Sequence, residues 1–103
     1  FKQLLNILSD PSVSLPEDRL ERKARLLELL QDGRVESLCQ LIRDLSAYQQ
    51  QKVKPMNDND QVVLKQSRNT LLGEWEFVLS VTHAQAELEL HHMLRPQTLE
   101  PQE

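Results

Sequence analysis

Leucine returns every three or four residues through most of this chain, and proline or glycine breaks the pattern at intervals of roughly a helix length. Apolar side chains at that spacing share one face of a helix, so the chain is predicted to fold as a series of amphipathic helices. The glutamate, glutamine, lysine and arginine residues around the leucines favour the same conformation. Gly33 and Gly73 are the only glycines, too few for a chain of many tight hairpins or for a loop that cradles phosphate. With 103 residues, 39% of them apolar, one core is what the chain can enclose. The expected fold class is therefore all-α, a compact bundle of about five helices.

Five periodic segments carry this reading. Phe1, Leu4, Leu5 and Leu8 form the first apolar face, which ends at Asp10-Pro11 because proline disfavours helical geometry in the residue before it. Ser14-Leu15-Pro16-Glu17 then reads as a capping box, opening a helix with Leu20, Ala24, Leu27 and Leu30 turned inward and a stop at Asp32-Gly33. From about Arg34 to Gln50, Val35, Leu38, Cys39, Leu41, Ile42, Leu45 and Tyr48 make a stripe broad enough to meet more than one neighbour. Residues 49–59 are polar and form a link, from which Met56 is expected to fold back over a core edge. Asn57 to Asp60 supply caps for a long fourth helix with Leu64, Ser67, Leu71, Trp75 and Val78 inward, widened by Leu72 and Leu79. A strand over 75–81 is rejected, since the chain holds no second strand to pair with it. Thr82 to Gln85 is a second box-like start, followed by Ala86, Leu90, Met93 and Leu94, and Pro96 ends the segment. Leu27, Leu38, Ile42, Leu71, Trp75 and Val78 are the expected core anchors. One domain over residues 1–95 and a disordered tail over 96–103 complete the layout.

Several function classes find no support. No window is long and apolar enough to span a membrane, and no signal peptide opens the chain, so a cytoplasmic setting is expected. Phe1 already belongs to an apolar pattern and is not a methionine, which points to a piece of a longer protein. Cys39 is the lone cysteine and falls on an apolar stripe, as a buried thiol would. Of the three histidines, His91 and His92 point to different sides of a helix, and His83 with Glu87 is a two-ligand pair where a closed zinc site needs four. Glu74, Glu76, Glu87 and Glu89 read as solvated surface, and Asp58 and Asp60 as caps. Neither a catalytic arrangement nor a cofactor is expected.

The net charge of −4 is unevenly spread: residues 1–54 carry +1 and residues 55–103 carry −5. An anionic partner would meet the first half. Its densest basic cluster is Arg19, Arg22, Lys23 and Arg25; the first three lie three or four residues apart beside the apolar face, where they could meet successive phosphates. The plainer reading is a solvated surface laced by pairs such as Asp18 with Arg22 and Glu21 with Arg25.

The order of these segments resembles the C-terminal helical domain of the CarD/CdnL family of bacterial transcription regulators. The similarity runs through Leu15-Pro16, Arg19 to Arg25 and Leu30-Gln31-Asp32-Gly33, continues in Cys39-Gln40-Leu41-Ile42-Arg43-Asp44-Leu45 and Tyr48 to Lys52, and ends in Leu64 to Glu74. The resemblance implies about five helices that touch promoter DNA at the upstream edge of the transcription bubble. It also implies an N-terminal Tudor-like domain, absent here, that contacts the β subunit of RNA polymerase. Where many members place a wedging tryptophan, this chain has Arg19. Arg19, Arg22, Lys23, Arg25, Arg34 and Arg43 become the DNA-contact candidates, in a domain that is expected to be monomeric and to touch DNA weakly and without sequence preference. The alternative is a helical module that binds protein and not DNA, for which apolar surface near Phe1, Leu4 or Met93 would speak.

Overall fold

The structure, a computed structural model, describes residues 1–51 and 57–94. It consists of five α-helices: α1 (Lys2–Leu5), α2 (Arg19–Asp32), α3 (Val35–Gln51), α4 (Asp58–Leu79) and α5 (His83–Met93), with a 3₁₀ turn at Asn6–Ser9 after α1. No strand occurs among the described residues, and the segment 75–81 is helical as far as Leu79. The expected roles of Met56 and of the tail over 96–103 lie outside the described residues.

Helix α3 is the central element. It packs against α2, α4, α1 and the 3₁₀ turn, while α5 closes the bundle against α4 and the same turn. The width of its apolar stripe is thereby explained: Cys39, Leu41, Ile42 and Leu45 are fully buried and face different neighbours. Leu71 and Trp75 from α4, Ala86 and Leu90 from α5, and Leu5 and Leu8 from the opening segment complete the core. Ile42, Leu71 and Trp75 are core residues as predicted, and Leu38 is half-buried against the same cluster.

Local chemistry sets most helix ends. Gly33 takes the left-handed conformation at φ 72° and ends α2, a geometry that glycine adopts without a Cβ penalty. Asn57 caps α4, its Oδ1 accepting from the Asp60 N–H at 2.8 Å. Thr82 and Gln85 form a reciprocal capping box at the start of α5, with both bonds at 3.1 Å.

Three parts of the sequence reading are corrected. Helix α2 does not start from a Ser14 box: it begins at Arg19, capped by Asp18, whose Oδ2 accepts from the Glu21 N–H at 3.0 Å. Its inward face is shifted as well. Leu26 and Leu29 are buried, whereas Leu20, Leu27 and Leu30 are exposed. Leu27 is thus no core anchor. Nor is Val78, which is 46% exposed although it continues the inward stripe of α4. Leu79, one residue on in the same turn, packs against the core instead.

Candidate nucleic-acid interface

The side of α2 that faces solvent is decided by one buried arginine. Arg22 retains 5% side-chain exposure and pairs with Asp60 of α4, Nε to Oδ2 at 2.9 Å. Its Nη1 donates to the carbonyl oxygens of Pro16 at 3.2 Å and Glu17 at 3.1 Å, and the guanidinium lies 4.7 Å over the Tyr48 ring. Five fixed donors and a flat cation suit such a clasp, in which charge, hydrogen bonds and ring stacking offset desolvation together. Arg22 is therefore an internal tie between α2, α3 and α4 and no surface contact, which corrects its assignment as a DNA candidate. Asp60, read as a cap, is the buried counter-charge, 1% exposed.

The other candidates separate by their partners. Arg43 is mostly buried, with Nε at 2.8 Å from Asp44 Oδ1, and reaches the Ile7 carbonyl at 3.5 Å. The same Asp44 oxygen accepts from the Val13 N–H at 2.9 Å, so this pair fastens the segment before α2 to α3; Arg43 too is structural. Arg34 pairs with Asp32 at 2.9 Å on the surface. The Ser37 hydroxyl and Arg34 hold the Asp32 carboxyl below its usual range, and Asp32 in turn raises the Arg34 guanidinium. Arg25 lies 3.6 Å from Glu28, an exposed pair of little energetic weight.

Arg19 and Lys23 remain. Both are exposed on the outer side of α2, four residues apart, and neither makes an ion pair or hydrogen bond among the described residues. Leu20, 75% exposed, and Leu27, 50% exposed, lie on the same outer side. The surface presented is a short mixed ridge, two cations beside two aliphatic side chains, on a helix whose pose is locked from behind.

Burial pushes the Cys39 thiol up to about 11, helped by Glu36, so it is no thiolate nucleophile. His83 sits between Glu76 (Nδ1 to Oε2, 2.6 Å) and Glu87 (Nε2 to Oε1, 3.8 Å), and the Glu76 hydrogen bond raises its pKa. Among the described residues no group of three or more acidic, histidine or cysteine side chains could hold a metal ion. No helix among them is long and apolar enough to cross a membrane.

The family model described as CarD, C-terminal domain, matches residues 3–91. The chain belongs to that family, whose members are transcription regulators. No curated protein matches the chain.

Proposed function

We propose that this domain makes weak, sequence-independent contact with promoter DNA as the helical part of an RNA polymerase-associated regulator, and that α2 is the contacting element. The observation that supports this most directly is the pair of exposed, unpaired cations Arg19 and Lys23 beside Leu20 and Leu27. Cations four residues apart on a helix can meet neighbouring phosphates, and arginine also enters a narrow minor groove. In this reading the protein acts as a cytoplasmic monomer without cofactor or catalysis, and the polymerase β subunit is held by a separate N-terminal domain. The alternative is a protein-binding module without DNA contact, for which apolar surface near Phe1, Leu4 or Met93 would speak; all three side chains are partly buried.

With two free cations on α2 the salt dependence of a contact through that helix is modest and countable. Each phosphate contact contributes a slope of about −0.9 in log affinity against log salt, so two contacts weaken binding about twelvefold between roughly 50 and 200 mM. Fluorescence anisotropy with a fork-junction duplex measures this. Arg19→Ala and Lys23→Ala should each remove about one phosphate's worth of slope. Salt-independent binding, or unchanged slopes in both variants, would refute the DNA contact.

A further inference from the structure

A second surface, on α4 and away from the ridge of α2, carries three observations that the bundle itself does not account for. The first is Gly73. It lies in the middle of a 22-residue helix, where glycine is less favourable than alanine, and a Cβ built there would meet nothing within 4 Å. Packing within the described chain thus gives no reason for the missing side chain. The second is Phe77, four residues on and 84% exposed, the most exposed large apolar side chain in the described structure. The third is a cleft of about 440 Å³ between α2, α3 and α4, with Leu29, Leu30, Val35 and Leu38 among its walls and Thr70 and Glu74 along its α4 edge.

These features share one face. Gln66, Thr70, Gly73 and Phe77 recur at offsets of four, three and four, the spacing of a helical seam, and all four are exposed. A glycine in the centre of a seam lets a second backbone come close, an apolar cleft beside it accepts a side chain from that element, and a phenylalanine at its end covers the last turn. We propose that this face of α4 docks an α-helix of a partner protein.

Charge selects the kind of helix. Glu74 stands beside Gly73 at the cleft rim, exposed and without an ion pair or hydrogen bond among the described residues. The cation that lines the same cleft, Arg34, is already paired with Asp32 at 2.9 Å, so Glu74 is the charge left uncompensated at its rim. A helix with an aliphatic stripe flanked by lysine or arginine fills the cleft and neutralises Glu74. A second copy of the chain is disfavoured, because a two-fold pairing centred on Gly73 sets Glu74 against Glu74, and like charges at an interface are costly. The inference does not rest on the DNA reading, which concerns α2.

The test uses a defined probe: a synthetic helix-forming peptide of about 18 residues with leucine along one face and arginine on its flanks, beside a twin with glutamate for arginine. In ¹H–¹⁵N spectra of the domain, the basic peptide is expected to shift Leu38, Thr70, Gly73, Glu74 and Phe77 and the acidic twin to leave them unmoved. Gly73→Leu and Phe77→Ser alter exposed positions and should leave the domain folded, with Gly73→Leu melting no lower than wild type, while weakening the basic peptide about tenfold or more. Glu74→Lys should exchange the preference between the two peptides. Absence of shifts on this face, equal response to both peptides, or full affinity in folded Gly73→Leu would overturn the proposal. Concentration-dependent shifts of the same residues without peptide would overturn its choice of occupant.

Discussion

Helices α2 and α3 are both rich in leucine, both amphipathic on paper, and joined by a two-residue turn, yet they are oriented by different forces. In α3 the apolar stripe decides: Cys39, Leu41, Ile42 and Leu45 lose all contact with solvent. In α2 the five leucines spread over about half of the helix circumference, wider than one neighbour covers, so burial alone has two good solutions. One turns Leu20, Ala24, Leu27 and Leu30 inward; the other turns Arg22, Leu26 and Leu29 inward. The second is realised because only there does Arg22 reach Asp60, Tyr48 and the carbonyls of Pro16 and Glu17. Where apolar area is degenerate, a buried charge pair sets the rotation, and the leucines it displaces become surface beside Arg19 and Lys23.

The largest effect should come from cutting that tie. Arg22→Ala or Asp60→Ala leaves its partner buried and unpaired and is expected to cost about 3–5 kcal/mol in chemical denaturation. The double change Arg22→Met with Asp60→Leu should recover most of that loss; if it also restores wild-type salt-dependent DNA binding, the pair is not what orients α2.

Next in size, the contrast between the two helices can be read from leucine truncations. Leu45→Ala in α3 should cost about 2–5 kcal/mol, while Leu27→Ala in α2 should stay within about 0.5 kcal/mol. Equal losses at the two positions would mean that the exposed side of α2 is covered. Asp18→Ala, which removes the cap of α2, is expected to cost about 1 kcal/mol, and Ser14→Ala far less. The reverse order would reinstate the capping box that the local sequence suggested.

The smallest effect concerns a region where neither burial nor a permanent charge rules. Glu76 and Glu87 raise the His83 pKa, so the staple between α4 and α5 contributes below the ordinary histidine value of about 6.5 and fades as pH rises through the raised value in the folded state. His83→Gln should therefore lower the melting temperature at about pH 5.5 and have little effect at about pH 8.5. A larger loss at the alkaline pH would show that His83 acts through its neutral form.

Much of this architecture was legible because it depends on neighbours in sequence. The glycine stop at Gly33, the Thr82 box, the Asn57 cap and the stripes of α3 and α5 each follow from spacing over a few residues. The candidate site was legible only in part. Arg19 and Lys23 are found among the basic residues of α2, but nothing local separates them from Arg22, which looks equally like a surface cation in an i,i+4 pair with Asp18. Leu20 and Leu27 were hidden for the complementary reason: periodicity shows that leucines share a side but not which of two sides is covered.

Helical class, the number of helices, most of their ends and the identity of α3 as a buried element were thus determined by the sequence itself, since propensity, capping and periodicity act within a turn or two of chain. The rotation of α2, the burial of Arg22 and Asp60, and the exposure of Leu20, Leu27, Phe77 and Val78 were decided only by the tertiary structure. The rotation of α2 depends on partners 38 residues apart, and a charge at such a separation changes which face is lowest in free energy without leaving any mark on the local pattern.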